Sequence, residues 1–281
     1  QNKNQIASKN TGFPFEASFH LAPIETPFKT DFIANDGQPD IRLHPISEFS
    51  KWYGAAMKRK SLVLKWQNIS NSHSHFEIQL SNFLNASRGF AIQPNNILNT
   101  RSSEMSLYII SQLLIRPKDV VLVGNIGNYA ANMLFQQAGA TIKTIPVDAN
   151  GLDVRSIEEI TKKTKIRCIY LNSNRHYPNT NSLSAERRLQ LLVLARKMRF
   201  AIIEDDFDYD FQFDGPPILP MASSDTDGLI IYLGKLGQSF FPSFQTGFVV
   251  APENLILEAK NYLQMLDSKG DLIQEQVLAA L

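Results

Sequence analysis

The sequence has a single cysteine among its 281 residues, Cys168, set in the apolar run IRCIYL. One thiol allows no disulfide within the chain, which fits a reducing compartment and an expected cytoplasmic location. Cys168 itself reads as a small buried strand residue. No apolar run approaches the ~20 residues that span a bilayer, so no membrane partner is expected. The opening stretch, QNKNQIASKNTGFPFEASFHLAP, has no signal-peptide core. Neither sign of charge is in excess: 28 Lys and Arg stand against 27 Asp and Glu, a formal net charge of +1. That balance gives no general pull toward nucleic acid, so direct DNA binding by this chain is not expected.

Several chemical signatures are missing as well. There is no G-x-S-x-G nucleophile elbow, no P-loop and no G-x-G-x-x-G turn. The histidines are His20, His44, His73, His75 and His176. His73 and His75 lie two apart in the polar stretch NISNSHSHF, with no cysteine or third histidine at ligand spacing, so no metal site is expected. No internal repeat or low-complexity tract interrupts the chain.

What remains is an ordinary globular composition, 43% hydrophobic and 20% charged. Periodicity predicts helices over 46–59, 77–87, 104–115, 129–138, 154–163, 185–198 and 253–267. Strands are predicted over 119–124, 141–145, 166–171, 200–204, 229–233 and 246–251. Ser184 is a natural N-cap for AERRLQLLVLARKM, with Glu186 and Lys197 suited to the helix dipole. The stripe Leu189, Leu192 and Met198, flanked by Val193 and Ala195, reads as the face that packs on a sheet. Apolar strands alternating with amphipathic helices predict an α/β fold, a mostly parallel sheet covered on both faces. Ligands in such folds sit beyond the carboxyl ends of the strands. The residues to inspect are therefore 124–129, 172–180, 205–208 and 235–245.

The strongest constellation is AIIEDDFDYDF, 201–211, in which an apolar strand delivers Glu204, Asp205, Asp206 and Asp208 to the sheet edge. A second is YLGKLGQSFFPSFQTGF, 232–248, where a strand breaks into a Gly/Ser loop that runs into another strand. Together with TGFPFE (11–16), NDGQPDIRLHPI (35–46), IYLG (231–234) and FPSFQTGFVVAP (241–252), these stretches resemble the aminotransferase-like domain of MocR-type regulators of the GntR family. The resemblance runs from residue 11 to the end of the chain. It implies a fold-type I large domain over 35–281, related to pyridoxal-phosphate (PLP) aminotransferases and apparently ending before the small C-terminal subdomain. It implies that 1–34 is a linker following a winged helix-turn-helix domain that lies outside this sequence. It further implies a homodimer, a possible small-molecule effector, and DNA contact only through that other domain.

Position by position, the resemblance also points to a degenerate cofactor site. The family's imine lysine corresponds to Gln238, followed by Ser239, and an amide cannot form a Schiff base. The phosphate-binding arginine corresponds to Gln245, and the serine before the lysine to Gly237. The small pair at the phosphate-binding helix start is Ser102-Ser103, with Glu104 next. The ring-stacking aromatic is Asn128, beside Tyr129. The glycine-containing loop near the dimer partner's site is Asn68 to Ser72, without its glycines. The tyrosine two after the pyridine-pairing aspartate is Phe207, and the loop before the family's P-T dipeptide is Asn174-Arg175-His176-Tyr177. Asp205, the aspartate itself, is retained. Lys235 is the nearest other amine, three residues from the expected position. The expectation is a non-catalytic effector and dimerisation domain without PLP. The alternatives are a PLP-binding sensor or enzyme, and a sensor of a different molecule in the altered cleft.

Overall fold

In the computed structural model, the residues described are 11–14, 42, 45–58, 74–209, 211, 218–237, 246–267 and 271–280. The chain divides into two units, Gln1–Ala34 and Asn35–Leu281. In the first, the Thr11 hydroxyl donates to the Phe13 carbonyl at 2.8 Å.

Continuous apolar runs become strands buried on both faces. The core of the sheet is β2 (Val120–Gly124), β6 (Cys168–Leu171), β7 (Ala201–Asp206) and β8 (Ile230–Leu236), all parallel. Parallel β3 (Thr141–Ile145) closes one edge. At the other, β9 (Thr246–Val250) pairs antiparallel with β8, and β1 (Ile97–Thr100) antiparallel with β9. The order is β1-β9-β8-β7-β6-β2-β3. A two-stranded hairpin, β4 (Val147–Asp148) with β5 (Gly151–Leu152), stands apart.

Strand alternation sends successive side chains to opposite faces. Val121, Val123, Cys168, Tyr170, Ile203, Ile231 and Leu233 share one apolar layer. Covering it are α3 (Ser103–Leu114), α4 (Tyr129–Gln137) and α7 (Glu253–Leu266), through Ile109, Ile110, Phe135, Ile256 and Ala259. The other face carries Leu122, Ile169, Leu171 and Ile202 against α5 (Val154–Lys163) and α6 (Ala185–Met198). Toward β9 on that face, Tyr232 and Phe248 meet Phe76, Leu80 and Leu84 of α2 (His75–Arg88). A smaller cluster joins Phe49 and Ala56 of α1 (Ile46–Met57) to Val277 of α8 (Leu272–Leu278). Among the described residues no helix is long and apolar enough to cross a membrane.

Four local expectations need correction. Helix α2 begins at His75, two residues earlier than expected. Ser74 caps it, accepting from the Glu77 amide at 3.1 Å while Glu77 accepts from the Ser74 amide at 3.0 Å. This reciprocal box satisfies two otherwise orphaned donors, so His75 and Phe76 are helical and not part of a loop. On α6 the buried residues are Leu191, Leu194 and Ala195, whereas Leu189 and Val193 are exposed. Arginine and lysine stems made the two sides of that helix hard to tell apart from sequence. Strand β1 and helix α8 went unread; both are short. Strand β8 runs on to Leu236, so Lys235 belongs to a strand and not to a loop.

Candidate functional site

From β2 the chain turns outward to β3, then returns across the sheet to β6. That reversal opens a crevice beyond the carboxyl ends of β2 and β6, where α/β folds place ligands. The segment after β2 (Asn125 to Asn128) and the segment after β6 (Asn172 to His176) form its walls, and the end of β7 adjoins them. The walls are tied together: His176 is buried, and its Nε2 lies 2.7 Å from the Ile126 carbonyl. Gly124 makes that approach possible, since a Cβ there would sit 2.6 Å from the imidazole.

Asp205 stands at the end of β7 on the same face as Ile203 and Tyr170. It is 8% exposed. Its Oδ2 accepts from the Tyr170 hydroxyl at 2.5 Å, and its backbone carbonyl accepts from Asn172 at 2.7 Å. Its Oδ1 is buried without a hydrogen-bond partner. Burial pushes the carboxyl up to about 6; Tyr170 and Lys235 oppose the shift, and Glu104 and Asp208 add to it. Burial likewise holds the Tyr170 phenol well above its ordinary range.

Lys235 follows Ile231 and Leu233 by strand alternation, so it projects from Asp205's face of the sheet. Its ammonium lies 5.5 Å from the centre of the Phe207 ring, and burial lowers its pKa. Phe207 turns the chain after β7 and meets Tyr177 edge-on. Arg175 reaches Asp208 at 3.3 Å across the same rim.

The start of α3 approaches from the other side. Ser102 is its N-cap, accepting from the Met105 amide at 3.2 Å, and Ser103 and Glu104 open the first turn. A Cβ on Gly247 of β9 would lie 2.3 Å from the Ser102 carbonyl, so glycine there lets the strand backbone touch the helix start. Asn128 caps α4, accepting from the Ala131 amide at 3.2 Å. Tyr129, beside it, is half-exposed. The structure thus gathers Asp205, Phe207, Asn128, His176, Ser102 and Ser103 at one end of the sheet. Gln238, Ser239, Gln245 and the stretch from Asn68 to Ser72 lie outside the described residues. Among the described residues, no cluster of histidine, cysteine and carboxylate side chains could hold a metal ion.

Sequence reading missed what lies beneath, on the opposite face. Glu204 is fully buried and accepts from Ser173 and from the Met221 and Ala222 amides, the latter two at 2.8 and 2.9 Å. Asp206 accepts from the Tyr232 hydroxyl at 3.0 Å, and Tyr232 accepts in turn from Nε of Arg88 at 2.9 Å. Arg88 is 1% exposed and lies 4.3 Å over the Tyr209 ring. Burial raises both carboxyls, Asp206 to about 7. The signal available was adjacency: in a strand, neighbours face opposite ways, so Asp205 and Asp206 had to serve different sites.

No protein-family model matches the chain. The probable rhizopine catabolism regulatory protein MocR of Rhizobium meliloti is 28% identical over 179 residues, covering 64% of this chain and 35% of that protein. The HTH-type transcriptional regulator TauR of Rhodobacter capsulatus is 27% identical, covering 54% of this chain and 31% of that protein. Aromatic-amino-acid aminotransferase 1 of Thermococcus litoralis is 27% identical, with 60% and 42% covered. The matches therefore span less than half the length of these curated relatives. Among solved structures, an archaeal alanine:glyoxylate aminotransferase superposes with a TM-score of 0.78 at 26% identity, covering 87% of this chain and 62% of the other. A Pyrococcus horikoshii kynurenine aminotransferase gives the same TM-score at 22% identity, with 87% and 61% covered, a likeness of fold. The chain has the fold of the type I aminotransferases and is a homologue of the MocR-type GntR-family regulators as well as of aminotransferases.

Proposed function

We propose that this chain is a non-catalytic, aminotransferase-like effector and dimerisation domain of a MocR-type transcriptional regulator, and that it works without PLP. What carries the reading is the set of residues at the positions that the family resemblance assigns to the cofactor. One group suits the cofactor: the unpartnered Oδ1 of Asp205 would accept from a protonated ring nitrogen. The rest do not. Gln238 offers no amine for a Schiff base. Gln245 replaces a charged, bidentate contact to phosphate with a neutral one. Glu104 brings a carboxylate into the helix turn that would face the phosphate. Asn128 spends its amide oxygen on capping α4 and presents no ring to stack. The residues do not fit the group.

Magnitudes support the same reading. Loss of one buried charged contact costs ~2–5 kcal/mol, and each ~1.4 kcal/mol is tenfold in affinity. Losing the imine, the arginine and the stacking ring together removes several orders of magnitude. In this reading the fold supplies a dimer surface and a cleft for another small molecule. DNA contact belongs to a winged helix-turn-helix domain outside this sequence.

A second reading, a PLP-binding sensor or enzyme, draws on one observation. Lys235 projects from Asp205's face of the sheet, with its pKa lowered by burial. Incubation with PLP, borohydride reduction and peptide mapping separates the two readings. Ours expects no phosphopyridoxyl-lysine; stable labelling of Lys235 would establish the second.

A further inference from the structure

Asn150 is followed by Gly151, and every other asparagine in the sequence precedes a residue that carries a side chain. The pair sits at the turn of the β4–β5 hairpin, whose ladder joins only Val147 to Leu152 and Asp148 to Gly151. Asn150 is exposed, and among the described residues no hydrogen bond holds its carboxamide. Its main-chain carbonyl is held, because the Ser184 amide donates to it at 3.1 Å. Ser184 is the N-cap of α6, and the first turn of that helix clasps the same hairpin. Arg187 donates to both Asp148 carboxylate oxygens at 2.7 Å, and to the Gly151 and Leu152 carbonyls at 2.8 and 3.1 Å. Beside it, Arg188 donates to the Ser173 carbonyl and to Asn174 Oδ1, each at 2.9 Å. The Leu183 amide also donates to the Ser173 carbonyl, at 2.9 Å. Hairpin, helix start and crevice wall are thus one connected set of bonds.

A free carboxamide can close on the next amide when that residue is glycine, which puts no side chain in the path of attack. The Gly151 nitrogen loses its proton and bonds to Asn150 Cγ, and the side-chain nitrogen leaves as ammonia. Donation from Ser184 favours the step, since the oxygen it meets carries the charge of the deprotonated peptide. Water then opens the cyclic imide at either carbonyl. Opening at Cγ gives aspartate. Opening at the main-chain carbonyl gives isoaspartate: the chain now runs through the side-chain methylene, one atom longer, and the carbonyl that met Ser184 has become a free carboxylate. Gly151 is not free to absorb that extra atom, because a Cβ on it would lie 2.8 Å from Leu183 Cα. We propose that Asn150 is a site of spontaneous deamidation, and that its isoaspartyl form loosens the start of α6 and the crevice wall at Ser173 and Asn174.

The test ages the full 281-residue chain in mildly alkaline buffer and maps its peptides by mass. Conversion of amide to acid should appear at Asn150 before any other asparagine, with isoaspartate, detected by isoaspartyl methyltransferase labelling, as the main product. Anion exchange isolates the aged form by its added negative charge. In that form amide hydrogen exchange over 172–184 should be faster, and Tm lower by about 4 °C. Asn150→Gln should age without conversion at that position. Asn150→Asp adds the charge but not the extra chain atom, and should keep parental exchange. Circular dichroism confirms that both variants fold. No conversion at Asn150, earlier conversion at another asparagine, parental exchange in the aged form, or equal loosening in Asn150→Asp would overturn the proposal.

Discussion

Replacing Asp206 by asparagine should remove a large part of the protein's stability loss between pH 4 and pH 8. The carboxyl is held at about 7 against an ordinary 3.8, first by burial and then by the nearby Glu204. That is roughly a thousandfold change in proton affinity, or ~4 kcal/mol. The sign follows from which state keeps the proton. Between 3.8 and about 7 the unfolded chain has lost it and the folded chain has not, so stability falls as pH rises and the loss is complete above about 7. Asparagine cannot titrate, yet it keeps an oxygen for the Tyr232 hydroxyl, now 3.0 Å away. At ~2 °C per kcal/mol for a chain of this size, the parent should lose about 8 °C in Tm from pH 4 to pH 8 through this group. Asp205, held at about 6, adds to the same slope. Scanning fluorimetry across that range, checked by urea unfolding, measures both proteins. A flat parent profile, an unchanged slope in Asp206→Asn, or a variant less stable than the parent at pH 8 would refute the reasoning. Any of these would mean that Arg88 and Tyr232 outweigh burial and hold Asp206 ionised.

Three further outcomes are expected. Gly247→Ala should destabilise by several kcal/mol, because the added Cβ meets the Ser102 backbone at 2.3–2.4 Å with nothing flexible to yield; near-parental unfolding in urea would show that strand and helix start can separate freely. Ser74→Ala should cost ~1 kcal/mol by deleting the cap of α2, and Ser74→Asn should restore most of it; an unchanged midpoint for the alanine variant would argue that the cap contributes little. Cys168 is fully buried and its thiol is pushed up to about 12, so it should resist thiol reagents until the protein unfolds; labelling at the rate of a free thiol in native buffer would contradict its place in the core.

The large elements were legible because their periodicities are strong. The runs VVLVG and CIYL lie in strands buried on both faces, as their unbroken apolar character requires. The N-cap at Ser184 could be read directly, and it accepts from the Arg187 amide at 3.4 Å. Strand β1 was harder: ILNT offers two apolar residues, and its burial depends on β9, some 150 positions away. Leu189 and Val193 misled because helical spacing identifies a stripe but not which stripe faces the sheet. At the site, sequence placed Asp205 at a strand end and marked the exchanges at Asn128 and Ser102. It did not reveal Tyr170 as the partner of Asp205, since that contact joins neighbouring strands 35 residues apart. Nor did it show that Lys235 shares Asp205's face, which depends on how far β8 continues before it turns.

The central claim is that this cleft no longer holds its ancestral cofactor. The most direct measurement is reduction with borohydride after incubation with excess PLP, followed by mass mapping of every lysine peptide. The account predicts no phosphopyridoxyl group on any lysine above the level seen in unfolded protein. A stoichiometric adduct on Lys235 that is lost in Lys235→Met would contradict it, and would make this chain a PLP-binding domain with a relocated lysine.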